Sequence, residues 1–222
     1  MPITKTVQRA VADRIRQGII AGRFRVGQHL KQRELAQMYG CSIIPIREAL
    51  HSLAAEGLIV IDSQRGARVT EIGSQQLVEM YQVRMRLEGW AAGLAAKFMT
   101  RKAAQHIRAI LDRMDRRGIS HDEWLSLNNE FHDALYRSAG HDFLRKLILN
   151  LRMSTEPYLR LDLVRVAERE PRRKDHESGR LEHRRIFEAC LRRDAKSASR
   201  ASISHLRRVM GGIARYLHRQ GK

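Results

Sequence analysis

Residues 42–70 decide how this chain is read: Ser42-Ile43-Ile44-Pro45-Ile46-Arg47-Glu48-Ala49-Leu50-His51-Ser52-Leu53-Ala54-Ala55-Glu56-Gly57-Leu58-Ile59-Val60-Ile61-Asp62-Ser63-Gln64-Arg65-Gly66-Ala67-Arg68-Val69-Thr70. Ser42 has the side chain of an N-cap. Pro45 falls in the first helical turn, where a missing N–H costs little. The helix then runs through Leu50 and Leu53 to Gly57, placed as a C′ glycine. Leu58-Ile59-Val60-Ile61 is β-branched and short, as a strand requires. Ser63-Gln64-Arg65-Gly66 makes the turn, and Ala67 to Thr70 returns as the second strand.

Working outward, residues 6–21 place Val7, Ala10, Val11, Ile15, Ile19 and Ile20 on one helical stripe. Gly22 and Gly27 bracket a turn, and Leu35, Ala36 and Met38 mark a short second helix ended by Gly40. Three helices followed by a hairpin form a winged helix-turn-helix. That arrangement suits duplex DNA: the third helix enters the major groove and the hairpin reaches an adjacent groove or the backbone. From Ser74 onward the sequence contains helical stripes only, over 74–98, 101–117, 121–139, 142–167, 180–193 and 195–219. The chain is therefore expected to be mainly α, with a winged helix-turn-helix over 1–72 and an all-α antiparallel helical bundle over 73–222, joined at Ile72-Gly73-Ser74. Glu168 to Ser178, charged and containing Pro171, is expected to be an exposed connection, with Arg172-Arg173-Lys174 a solvated cluster.

Forty-two basic against twenty-four acidic residues give a net charge of +18. Such an excess attracts polyanions, nucleic acid or an anionic membrane surface, without distinguishing a specific reader from a nonspecific binder. No run of eighteen apolar residues is present to span a bilayer. Met1-Pro2-Ile3-Thr4-Lys5 has no apolar signal core. Only Cys41 and Cys190 occur, in no metal or redox spacing, so a reduced cytoplasmic protein is expected.

These motifs resemble the GntR family. Ile19-Ile20-Ala21-Gly22-Arg23-Phe24-Arg25-Val26-Gly27-Gln28-His29-Leu30 is similar to its opening helix and turn, and Arg33-Glu34-Leu35-Ala36 to its second helix. Pro45-Ile46-Arg47-Glu48-Ala49-Leu50 with Leu53-Ala54-Ala55-Glu56-Gly57-Leu58-Ile59 is the most specific match, and Arg65-Gly66-Ala67-Arg68-Val69 resembles the wing. The remainder resembles the FadR-type branch with a helical FCD effector domain, through Tyr81-Gln82-Val83-Arg84-Met85-Arg86-Leu87-Glu88, Phe131-His132 and Glu182-His183-Arg184-Arg185-Ile186. The chain departs from the family at Ile43-Ile44, where Arg-Thr is usual, and at Lys31, where a capping Ser or Thr is usual.

The resemblance implies DNA contacts from Arg33, Ser42, Arg47, Arg65, Gly66 and Arg68, and the entrance of the third helix adds Ile43 and Ile44. Ser42 and the helix N-terminus can hold a phosphate; Arg33 and Arg47 can hold phosphate or fork onto guanine; Gly66 permits close backbone approach. The alternative makes each arginine a solvated residue or a partner of Glu34 or Glu48. Adjacent residues lie about 100° apart on a helix, so Ile43 and Ile44 are not both expected to pack inside. At least one faces DNA, where an aliphatic group can meet a thymine methyl.

In the helical domain, Asn128 and His132 are four apart and share a helix face. His183 and His205 lie on two later helices, and the resemblance groups all four. Three imidazoles suit a divalent ion such as Zn²⁺ or Ni²⁺; the family usually has Asp where Asn128 stands. Arg84 is placed to fork onto an effector carboxylate, or to pair with Glu88 one turn on.

Together these features imply a metabolite-responsive regulator, with repression the expected sign. It is expected to be a homodimer on a pseudo-palindromic operator of double-stranded DNA, binding a small carboxylate effector. Two other classes were weighed. A nonspecific architectural binder is disfavoured by the wing motif and the large helical domain. A metal-dependent hydrolase is disfavoured because Glu130, two residues from His132, points elsewhere and leaves no general base.

Overall fold

The structure is a computed structural model that describes residues 3–62, 66–116, 118–169 and 177–219. Its elements run α1 (Ile3–Ile20), β1 (His29–Leu30), α2 (Gln32–Tyr39), α3 (Ile43–Ala55), β2 (Ile59–Asp62), β3 (Gly66–Val69), α4 (Ser74–Phe98), α5 (Arg101–Met114), α6 (His121–Arg137), α7 (Asp142–Arg169), α8 (Glu177–Leu191) and α9 (Ala195–Arg219). It is mainly helical with one small sheet. Two compact units form: Met1–Ile72 with Met153–Arg160, and Gly73–Arg152 with Leu161–Lys222.

The first unit is a reading head. Val11, Ala12, Ile15 and Ile19 of α1 meet Ile46, Ala49, Leu50 and Leu53 of α3 in its core. Ala10, expected on the buried stripe, is exposed, and Ala12 replaces it. Arg16 ties α1 to the end of α3 through a two-pronged bond to Glu56, at 2.8 and 2.7 Å. Both α2 and α3 end in a Schellman closure. Gly40 takes φ 63° while Cys41 N–H donates to Ala36 O. Gly57 takes φ 76° while Leu58 N–H donates to Leu53 O at 3.0 Å. A side chain at either position would be strained.

The sheet order is β1-β3-β2, all antiparallel, with Val60 opposite Arg68 and Ile61 opposite Ala67. The hairpin follows the expected strands; β1, two residues long, is an addition. It pairs His29 with Arg68 and Leu30 with Ala67, and is too short to carry a period-two signal. Residues 153–160 of α7, read from sequence as part of the helical domain, cluster with the head. Ile72 N–H donates to the Tyr158 hydroxyl, which reaches the Thr70 carbonyl at 3.4 Å.

The second unit is an all-helical bundle. Thr100 caps α5 by accepting from Ala103 N–H, and Ser120 caps α6 by accepting from Glu123 N–H, each at 3.1 Å. The tightest seam joins α4 and α9. Ala91, Ala92, Ala95 and Ala96 are buried on α4. A Cβ added at Gly89 would stand 2.9 Å from Ile203 Cγ1, and one at Gly93 would stand 3.3 Å from the Ala195 carbonyl oxygen. Small residues thus let two backbones approach where larger ones would hold them apart. Between α8 and α9, Arg193 turns the chain at φ 59° and donates to the Lys97 carbonyl at 2.8 Å. A cation at the C-terminus of α4 is favoured by the helix dipole.

Candidate functional site

In the head, Arg33 on α2 and Ser42, Ile43, Ile44 and Arg47 at the start of α3 are all exposed. Ile43 and Ile44 retain 44% and 56% of their surface, so neither packs inside. Among the described residues neither Arg33 nor Arg47 makes an ion pair, and Glu34 is taken by Lys31 at 2.8 Å. Gly66 opens β3, exposed, at φ 79°, and Arg68 is half-buried on the same strand. Arg65 and the Arg172-Arg173-Lys174 cluster lie outside the described residues.

Ser42 requires a correction. It occupies the N-cap position with extended dihedrals, but its side chain makes no cap hydrogen bond. An N-cap oxygen accepts from the second or third helical N–H. The third residue is Pro45, which has none, so the proline tolerated in the first turn removes one of the two donors the cap uses.

In the helical unit, α6, α8 and α9 bring His132, His183 and His205 together. All three are buried, and one ligand atom from each lies within 4.8 Å of the others. Ring centroids are 5.0 Å apart for His132 and His183, 4.9 Å for His183 and His205, and 5.4 Å for His132 and His205. Asn128 lies one turn before His132 and is also buried. His132 Nε2, both ring nitrogens of His183 and Asn128 Nδ2 have no hydrogen-bond partner. Buried polar atoms are nearly always satisfied, so four orphans in one cluster indicate a place for a bound group.

Two relays orient the outer histidines. The Tyr136 hydroxyl donates to Glu88 Oε2, so it can only accept from His132 Nδ1, 3.0 Å away. That fixes the proton on Nδ1 and leaves the Nε2 lone pair unused. His205 Nδ1 lies 2.7 Å from Glu182 Oε2, a bond that again leaves Nε2 as the lone-pair nitrogen. Such outer partners set ring orientation and basicity in metal-binding histidines. Arg208 braces Glu182 through two bonds of 2.6 Å.

Burial, reinforced by Arg152 and the neighbouring imidazoles, holds the His132 pKa well below the ordinary histidine range. Burial, with His205 and Arg152, does the same to His183. His205 is also lowered by burial, although Glu182 opposes this. The rings are therefore neutral, as metal ligation requires. Burial raises the Tyr136 pKa well above its usual value, and the Glu88 charge adds to the shift, so the phenol keeps its proton.

Arg84 is buried against Glu88, its Nε donating to Oε1 at 2.7 Å, with its guanidinium over the Tyr81 ring. Burial opposes both charges, yet the pair outweighs it: Arg84 is held above its ordinary pKa and Glu88 below. Arg152 stands 3.7 Å from Glu88 and donates to Asn129 at 3.0 Å. Glu130 pairs with Arg113 at 3.3 Å on the surface. Sequence reasoning named Glu88 only as a possible partner of Arg84 and did not single out Tyr136, Glu182, Arg152 or Arg208. The i, i+4 row Trp124, Asn128, His132, Tyr136 is the signal that could have found Tyr136.

Residues 79–208 match the family described as FCD domain, and residues 7–69 match that described as bacterial regulatory proteins, gntR family. The chain is a GntR-family transcriptional regulator with an FCD domain. Relatives of this GntR protein include the Nta operon transcriptional regulator of Aminobacter aminovorans, 31% identical over 69% of this chain and 71% of the relative. The HTH-type transcriptional repressor GlaR of Escherichia coli K12 is 26% identical over 86% of this chain and 89% of the repressor. Both are named as regulators, not enzymes. Among solved structures, E. coli McbR/YncC shares the fold with a TM-score of 0.77 at 21% identity, covering all of both chains. No helix of the described residues is long and apolar enough to cross a membrane.

Proposed function

We propose that this regulator is a metabolite-responsive repressor whose FCD domain holds a divalent ion, Zn²⁺ or Ni²⁺, on His132, His183 and His205 and through it a small organic acid. The observation that carries this reading is the cluster of three buried, neutral imidazoles with orphaned nitrogens and two tautomer-fixing relays. A bound dication supplies a Lewis-acid position for a carboxylate oxygen. Arg84 and Arg152 contribute positive charge beside that position.

The protein acts in the cytoplasm as a homodimer on a pseudo-palindromic operator of double-stranded DNA, one reading head per half-site. Exposed apolar side chains support self-association: Val83 and Trp90 lie two turns apart on α4, and Phe143 and Leu147 one turn apart on α7. His141, just before α7, meets the Trp90 ring edge-on at 5.8 Å. An effector preferring one arrangement of the helical domain would alter the spacing of the two heads.

Elemental analysis of protein purified without an affinity tag, with thermal unfolding before and after chelator, tests the metal. A metal that binds only the folded state must raise stability by mass action. Absence of metal together with a chelator-insensitive unfolding temperature refutes the site. Sedimentation at micromolar concentration tests the dimer, and a strict monomer on an isolated half-site refutes it.

A further inference from the structure

The chemistry of Asn128 goes one step further and rests on the metal reading above. We infer that Asn128 is an anion donor, not a metal ligand, and that metal and a carboxylate-bearing effector consequently bind this site as a coupled pair. Its orphaned atom is Nδ2, a donor, while the orphaned atoms of His132 and His183 are ring nitrogens. A dication takes lone pairs and offers nothing to an N–H. A carboxylate oxygen bound to that dication has a further lone pair, and an amide N–H one turn before His132 is placed to meet it.

The charges point the same way. The three imidazoles are neutral, and the carboxylates nearest them are engaged: Glu88 by Arg84, Arg152 and Tyr136, and Glu182 by Arg208 and His205. No carboxylate remains in the ligand cluster to offset a dication. A buried, uncompensated charge is costly. The arriving anion supplies that compensation, so each partner raises the affinity of the other by the same factor.

Ni²⁺ titrated calorimetrically into chelator-stripped full-length protein tests this, in sodium acetate and in sodium perchlorate at equal ionic strength. Acetate is the probe anion, and perchlorate coordinates poorly. Ni²⁺ should bind about 5- to 150-fold more tightly in acetate. Asn128→Ala should keep the perchlorate affinity and lose most of the acetate gain. The near-isosteric Asn128→Asp should bind Ni²⁺ more tightly in perchlorate and gain nothing from acetate. Equal Ni²⁺ affinity in the two salts overturns the coupling and leaves the metal site standing. A gain that persists in Asn128→Ala overturns the role of the amide. Absence of Ni²⁺ binding in both salts overturns the metal site itself.

Discussion

Tyr136 and His132 face each other across one turn of α6, hydroxyl oxygen to Nδ1 at 3.0 Å, and Glu88 on α4 takes the hydroxyl proton. The imidazole tautomer is thus set by a carboxylate two bonds removed. Tyr136→Phe keeps the ring and deletes the relay, leaving a buried ring nitrogen and a carboxylate oxygen each short of a partner. Metal affinity should fall about 10- to 100-fold, measured by competition with a chelating dye. The metal-free protein should lose about 1–3 kcal/mol. An unchanged affinity would show that Glu88 does not act on His132.

Arg84 is tied to Glu88 inside the bundle, and its replacement separates two roles. Arg84→Ala leaves a buried carboxylate with only Arg152 and Tyr136 beside it. Breaking such a pair costs about 3–5 kcal/mol. The expected outcome is a large drop in denaturant midpoint without any effector present. A variant of parental stability that binds organic acids poorly would instead show that the guanidinium contacts effector directly.

Acid should unfold the metal-free protein early. His132 and His183 are held well below the ordinary imidazole pKa by burial. The unfolded chain therefore binds more protons as pH drops below about 6.5, and stability falls with it. The contribution is fully present above that pH and is lost progressively toward the folded-state values. Urea midpoints between pH 8 and pH 5 check the slope. Replacing His183 with Gln should flatten it, and an unchanged slope in that variant would refute the assignment.

Ile43 and Ile44 stand exposed at the entrance of α3, where the groove of DNA is polar. Contact with thymine methyls predicts A·T pairs opposite this turn, read with modest discrimination. Arg33, Arg47 and the wing then supply affinity through phosphates, with steep salt dependence. Selection from a randomised site library by the parent, Ile43→Arg, Ile44→Thr and the double variant decides it. Identical base preferences and affinities in all four would remove these residues from recognition.

Much of this architecture was legible because local patterns and tertiary packing agree. The stripe over 74–98 is α4 with the same bounds, and the hairpin after Gly57 follows from β-branched residues and a glycine turn. Elements that needed partners were not legible. β1 exists only because Arg68 and Ala67 lie beside it. The missing cap bond at Ser42 depends on counting Pro45 as the third helical residue. In the site, the four polar residues Asn128, His132, His183 and His205 were in view, but their orienting partners were not. Glu88 reaches Tyr136 from another helix, and Glu182 reaches His205 across from α8 to α9. Such pairings are set by helix packing, which periodicity within one helix does not encode.

The close seam at Gly89 and Gly93 also bears on the order in which the molecule is made. α4 leaves the ribosome early and α9 last among the described helices, with four helices between them. Until α9 arrives, Ala91, Ala92, Ala95 and Ala96 lack its cover, and His205 is not yet present to complete the histidine cluster. The head's α1 and α3, by contrast, lie near each other in sequence and can meet early, since local contacts form fastest. Synthesis therefore yields a DNA reader before it yields a sensor, and a premature stop ahead of α9 would leave a chain with its reading helices and no means of responding.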